Sequence, residues 1–178
     1  YRPNINDHTS LDGDEIYSIC EDRSGIIWVG TNNGLSKYVR DNENFINYKH
    51  DPADPKSLSN GEIYSIYEDN AGNLWIGTFG GGLDKVVRSY NEETPLTFIH
   101  YKNDPEDPNS IGSNWVYNIC KDKNGDIWIA SSLTISQSFG ACGLSKYNKI
   151  TDNFKVYKQF PGDPQNGADD VLTIYEDS

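Results

Sequence analysis

The sequence predicts an all-β fold, a β-propeller segment of four-stranded antiparallel blades. A motif of strand-forming residues occurs three times at intervals of about 50 residues, as expected for propeller blades. Short strand-type segments alternate with turns rich in Gly, Asp and Asn, and no stretch shows a sustained helical period. The chain holds about three full blades plus partial ones, so we expect that it does not form a closed ring by itself.

The repeat is clearest around three tryptophans, which lie 47 and 53 residues apart. Each copy opens with a strand-type segment that ends in Asp, and these segments are Glu15–Asp22, Glu62–Asp69 and Trp115–Asp122. A Gly follows three residues after the Asp, and a Trp three residues after the Gly. These positions are Gly25 and Trp28, Gly72 and Trp75, and Gly125 and Trp128.

The second copy shows the elements of one blade in order. Its four predicted strands are rich in β-branched and aromatic residues, and they are Ile63–Glu68, Leu74–Thr78, Leu83–Val87 and Thr97–Tyr101. Between the first two strands, Asp69 can bond to the backbone ahead of it and Gly72 accepts a positive φ, so a tight turn is expected. Three glycines, 80–82, form the next turn.

Equivalent positions in the three copies predict which residues have structural roles. Asp22, Asp69 and Asp122 open the turns, and the repeated tryptophans fill the space between blades. Gly30 and Gly77, just after the second-strand Trp, allow a neighbouring blade to approach closely. The third copy has Ala130 there, and eleven residues, 132–142, are inserted after it.

The repeat also predicts how the single segment of residues 1–178 is divided. Residues 1–13 complete a preceding blade and its connector, and blades follow at 14–60, 61–113 and 114–169. The third of these blades contains the 132–142 insertion. Residues 170–178 begin a further blade, because 171–177 repeat the opening motif.

The charge balance excludes several kinds of partner. Fifteen Lys and Arg against 27 Asp and Glu give a net charge of −12, the wrong sign for binding nucleic acid or an anionic membrane surface. No apolar run is long enough to span a bilayer, and the chain contains no Met, which is typical of an excised segment. We expect a membrane to be involved only through other parts of a parent protein.

Residues for catalysis or metal binding are few. His8, His50 and His100 occupy different repeat positions, and no nucleophile elbow, phosphate loop or zinc-protease motif is present. The cysteines, Cys20, Cys120 and Cys142, are odd in number and lack Cys-x-x-Cys spacing. We therefore predict no enzymatic activity, no cofactor and no metal, with a propeller lyase as the least favoured alternative.

The motif resembles a known family, the two-component regulator propeller repeat. The resemblance is carried by Asp69–Thr78 with Gly81–Leu83, by Asp22–Leu35, and by the Pro- and Ser-bearing connectors Asp51–Leu58 and Asp104–Ile111. It implies the extracytoplasmic sensory part of a membrane-anchored regulator such as a hybrid histidine kinase. Several such sensors respond to breakdown products of polysaccharides, so the resemblance implies an oligosaccharide ligand.

Propeller geometry suggests where a ligand would bind. The connector into a blade and the loop after its second strand lie on the same rim, and Trp115 stands there where the other copies have Glu15 and Glu62. Aromatic side chains with amide and carboxylate partners suit a sugar. The candidate ligand-binding residues are Asn60, Glu62, Phe79, Asn114, Trp115, Ser132 and Gln137.

Two alternatives stay open at this point. Trp115 could pack instead of binding, and the propeller could serve protein interaction or structure without a small ligand. The terminal blades would also expose apolar faces that soluble monomers seldom leave open. We therefore expect these faces to be covered by self-association or by further blades of a parent chain.

Overall fold

The computed structural model describes residues 3–4, 6–88, 96–132, 143–157 and 171–175. Within these residues the chain forms twelve β-strands and no helix. The strands make three four-stranded antiparallel sheets, each built from consecutive strands, and the sheets do not close into a ring. The predicted all-β fold of propeller blades is confirmed.

Each sheet follows the order of the sequence. The first consists of β1 (Ile16–Glu21), β2 (Ile27–Thr31), β3 (Leu35–Val39) and β4 (Asn44–Tyr48). The second consists of β5 (Ile63–Glu68), β6 (Leu74–Thr78), β7 (Leu83–Val87) and β8 (Thr97–Tyr101). The third consists of β9 (Trp115–Lys121), β10 (Ile127–Ser132), β11 (Gly143–Asn148) and β12 (Asn153–Tyr157).

The core lies mainly between neighbouring sheets, where the repeated tryptophans pack. Trp28 belongs to a buried cluster with Ile63 and Ile76 of the second sheet, and Trp75 to one with Val116 and Ile129 of the third. Trp75 is completely buried. The second sheet thus packs with one face on the first sheet and with the other on the third.

A β-bulge recurs near the start of the first strand of every sheet. The strand register skips one residue between Ile16 and Ser18 in β1 and between Ile63 and Ser65 in β5. In β9, Val116 and Asn118 pair with adjacent residues of β10, so one residue is again left over. The extra residues are Tyr17, Tyr64 and Tyr117, and such bulges redirect side chains at functional edges.

The outer face of the first sheet is open. Ile19 is 66% exposed, whereas its counterpart Ile119 is 5% exposed. Likewise Ile16 is 51% exposed, whereas Ile63 is completely buried against the first sheet. The repeat places apolar side chains on this face, and in the other two sheets a preceding sheet covers them.

Residues 171–175 lie against the third sheet. Val171 N donates to Ser131 O at 3.2 Å, and Ile174 N donates to Asn118 Oδ1 at 3.2 Å. The second bond repeats the one from Ile119 N to Ser65 Oγ, which joins the second and third sheets. Residues 171–175 form no strand, and the remainder of 170–178 lies outside the described residues, so the further blade stays a prediction.

Candidate ligand-binding rim

The connectors that enter β5 and β9 are fixed by short hydrogen bonds. Asn60 Oδ1 accepts the Glu62 backbone N–H at 2.9 Å, which turns the chain into β5. Ser113 Oγ accepts the Trp115 N–H at 3.2 Å and donates to the Ser132 carbonyl at 2.7 Å. Glu62 and Trp115 are therefore held by hydrogen bonds where their strands begin.

Backbone pairing joins the second and third sheets at this rim. Phe79 forms an isolated antiparallel bridge with Trp115, and Trp115 in turn pairs with Ser132 in the β9–β10 register. Glu62 O accepts the Phe79 N–H at 3.0 Å. Asn114 O accepts the N–H groups of Gly80 and Gly82.

Gly80 leaves room for two side chains that can donate hydrogen bonds. It has a φ of +99°, a left-handed conformation that favours glycine. A Cβ at this position would lie 3.6 Å from Trp115 Nε1 and 3.9 Å from Asn60 Nδ2. The indole N–H group and the Asn60 amide therefore lie on either side of an exposed glycine.

The bulged tyrosines form an aromatic row beside these residues. Tyr17 and Tyr64 stack with ring centroids 4.6 Å apart, and Tyr64 stacks on Phe79 at 5.2 Å. Tyr117 meets Tyr64 edge to face at 5.4 Å and Phe79 edge to face at 6.0 Å. All four rings are partly exposed, so the row crosses three sheets at one surface.

Carboxylates adjoin the aromatic row. Tyr17 Oη donates to Glu15 Oε2 at 2.5 Å, and this bond raises the pKa of the Tyr17 phenol far above its usual value, with smaller contributions from burial and Glu62. Two further carboxylates, Asp12 and Asp14, accept from the amides of Asn33 and Asn32. The surface near β1 and β5 is therefore both aromatic and acidic.

The structure brings together most of the residues predicted for binding. Asn60, Glu62, Phe79, Asn114 and Trp115 lie within one continuous edge and are each partly exposed. Ser132 is next to Trp115 but only 4% exposed, and Gln137 lies outside the described residues.

Sequence reasoning missed the row of Tyr17, Tyr64 and Tyr117. The signal was available, because all three copies carry Tyr at this position inside the first strand. What the sequence does not reveal is the bulge, which changes the direction of the side chain without changing the residue pattern.

A separate titratable pair fixes the connector of the second blade. His100 Nδ1 lies 2.7 Å from Asp84 Oδ1, and Nε2 lies 2.9 Å from the Pro55 carbonyl. Asp84 is completely buried and also accepts the Ser59 N–H at 2.8 Å. Both His100 nitrogens face acceptors, which favours the doubly protonated ring, and the bond to Asp84 raises the His100 pKa above its usual 6.5.

The pair of His100 and Asp84 predicts a loss of stability as the pH rises above 6.5. The stabilisation is complete below pH 6.5, the ordinary His value, and is lost as the pH rises through the higher pKa of the folded state. Urea unfolding at a series of pH values would measure it, and His100→Asn should flatten the dependence whereas His8→Asn should not. An NMR titration that placed the His100 pKa at or below 6.5 would contradict this prediction.

In the described ranges, no group of three or more His, Cys, Asp or Glu side chains is placed to hold a metal ion. In the same part of the chain, no helix is long and apolar enough to cross a membrane.

Comparison with known proteins shows which repeat this is. The model of the two component regulator propeller family matches residues 10–33, 57–80 and 110–132. No curated protein matches the chain.

Among solved structures, the extracellular domain of the hybrid two component system BT3049 from B. thetaiotaomicron is similar. Its TM-score is 0.69 at 26% sequence identity, over 88% of this chain and 20% of that one. The chain thus spans about a fifth of the length of that structure.

Two other solved structures are more distant. The extracellular domain of the hybrid two component system BT4673 from the same organism is 21% identical, over 80% of this chain and 23% of that one, but its TM-score of 0.37 supports no conclusion. A protein described as a gluconolactonase is 12% identical, over 85% of this chain and 51% of that one, with a TM-score of 0.51, which shows the fold alone. The three family matches show that residues 10–33, 57–80 and 110–132 are two-component regulator propeller repeats, and the likeness to BT3049 agrees with this.

Proposed function

We propose that this chain is the ligand-sensing part of an extracytoplasmic β-propeller in a membrane-anchored two-component regulator, and that it recognises an oligosaccharide. The family and the likeness to an extracellular domain of a hybrid two component system support the sensor role and the location outside the cytoplasm. The segment binds and does not catalyse in this proposal. The output belongs to other parts of the parent protein.

The observation that carries the proposal is the junction of the second and third sheets at the rim. Phe79 and Trp115, one from each sheet, are paired there, with Asn60 and Glu62 beside them. Sugar rings present apolar faces that suit aromatic side chains, and their hydroxyl groups suit amide and carboxylate partners. A ligand at this junction would touch two blades at once.

Contact with two blades gives a route to signalling. A ligand shifts an equilibrium only when it binds one arrangement better than another. Oligosaccharide bound across the junction would favour one arrangement of paired sensor domains, and the transmitter of the parent protein would respond to it.

The proposal predicts a specific dependence on the Trp115 ring. Trp115→Ala should weaken oligosaccharide binding at least about tenfold, because a stacked aromatic ring and its N–H donor are lost. Trp115→Phe should retain most of the affinity, because the ring face remains. Isothermal titration calorimetry with a panel of oligosaccharides would measure both variants, with circular dichroism as a check on folding.

The same experiment separates the proposal from its alternative. If no oligosaccharide binds the folded wild-type chain, or if Trp115→Ala binds as well as wild type, the rim is not a sugar site. The chain would then be a protein-interaction or structural propeller. The open face of the first sheet, with Ile16 and Ile19 exposed, would offer it an apolar contact surface.

A further inference from the structure

The acidic groups of the rim suggest which class of oligosaccharide it accepts, an inference that depends on the proposed function. Glu15 and Glu62 immediately precede the first strands of their sheets. Glu15 Oε2 accepts the Tyr17 hydroxyl at 2.5 Å, and the Glu62 carbonyl accepts the Phe79 N–H at 3.0 Å, so both glutamates adjoin the aromatic row. The aromatic row of Tyr17, Tyr64, Tyr117 and Phe79 is therefore bordered by carboxylates.

The arginines of the described residues lie at the opposite rim, where the turns between first and second strands are. Arg23 contacts Glu68 and the Asn70 carbonyl, Arg40 contacts Glu21, and Arg88 contacts Asp22 and Glu68. A strand of six residues spans about 20 Å, roughly twice the screening length at physiological salt. These guanidinium groups therefore do not offset the carboxylates of the ligand rim.

Among the described residues, two lysines lie nearer the ligand rim, but they have other neighbours. Lys49 follows β4 and pairs with Asp12 at 2.6 Å. Lys102 follows β8 at the outer edge of the second sheet, where it acts on His100. Neither lysine adjoins the pair of Glu15 and Glu62 in these contacts.

We propose that the rim selects oligosaccharides without anionic groups and rejects sulfated or uronate-bearing ones, because Glu15 and Glu62 flank the aromatic row. The indole N–H of Trp115 and the amide of Asn60 supply donors for sugar hydroxyl groups, and the carboxylates accept from them. A sulfate or carboxylate group placed near Glu15 or Glu62 meets like charge. Such repulsion weakens binding by about fivefold for each close pair.

Calorimetric titration with two matched ligands tests the selection. The probes are an uncharged oligosaccharide that binds the wild-type chain and its sulfated analogue of the same length. The uncharged ligand should bind at least about tenfold more tightly at low salt. The ratio of the two affinities should shrink in 0.5 M salt, because the screening length there is shorter than the ~10 Å of 0.1 M salt.

The double variant E15Q/E62Q should reduce the ratio to near one, because it removes both negative charges beside the aromatic row. The matched control is Glu43→Gln in the turn between β3 and β4, at the opposite rim, which should leave the ratio unchanged. Equal or tighter binding of the sulfated analogue to wild type would overturn the inference, as would an unchanged ratio in the double variant. Absence of binding by every sugar would instead overturn the proposed function, and this inference with it.

Discussion

Replacement of Gly77 by alanine is expected to lower the free energy of unfolding by about 2 kcal/mol, because the added methyl group has no room between two blades. A Cβ at this position would lie 2.7 Å from Val116 Cγ1 and 3.1 Å from the Val116 carbonyl oxygen. The carbonyl belongs to β9 and cannot rotate away as a side chain can. The second and third sheets would therefore have to move apart.

Gly61→Ala is the matched control for this substitution. Neither glycine has a left-handed backbone, and a Cβ at Gly61 would meet its nearest atom, in Asn33, at 3.8 Å. We expect Gly61→Ala to change the unfolding free energy by less than about 0.5 kcal/mol. Chemical denaturation of both variants would measure the difference. Equal stabilities would show that close approach at Gly77 does not limit the packing of the blades.

Removal of the Asp69 carboxylate is expected to cost about 3 kcal/mol, because the buried Trp75 N–H and several partly buried donors lose their partner. Asp69 Oδ1 accepts the N–H groups of Ala71 and Asn73 at 2.9 and 2.8 Å, and Oδ2 accepts Trp75 Nε1 at 3.0 Å. The Trp75 ring is completely buried, so its N–H would find no water in Asp69→Ala.

The control for Asp69→Ala is Asp54→Ala. Asp54 also accepts a backbone N–H in its own turn, that of Lys56, but it is exposed. Its loss should cost about 1 kcal/mol or less. The intrinsic fluorescence of the tryptophans and a urea titration would report both variants. A cost for Asp69→Ala no greater than that for Asp54→Ala would contradict the assigned role.

The same carboxylates predict a loss of stability in acid. Burial raises the pKa of Asp69, but the hydrogen bonds from Asn73, Trp75 and Ala71 outweigh it, so the pKa lies below the usual 3.8. Asp22 and Asp122 have lowered pKa values through equivalent bonds to Trp28 and Trp128. This stabilisation is complete above the unfolded pKa and is lost as the pH falls through the folded one. Acid titration of Asp69→Ala should show a shallower loss than wild type.

The repeat made much of the fold predictable. The strand segments of the second copy were predicted with the bounds that β5 to β8 have in the structure. The reason is that each strand is bounded by residues with strong local preferences, such as Asp69 and Gly72 at one turn and three consecutive glycines at the next. The repeat, together with propeller geometry, also predicted that Phe79 and Trp115 lie at one rim, where the structure pairs them.

The features that the sequence did not predict depend on strand register and on contacts between residues that are distant in sequence. Tyr17 and Tyr64 fit an ordinary strand pattern, and only the bulge that three-dimensional pairing creates turns them into one aromatic row. The burial of Ser132 and the pairing of His100 with Asp84 also depend on residues distant in sequence.

The sequence by itself determined the repeat, the strand order within each blade and the acidic character of the chain, because these follow from local residue preferences and composition. The tertiary structure decided which side chains share a surface. It gathered Glu15, Glu62 and the tyrosines at one rim and the described arginines at the other, because antiparallel strands place alternate turns at opposite ends of every blade.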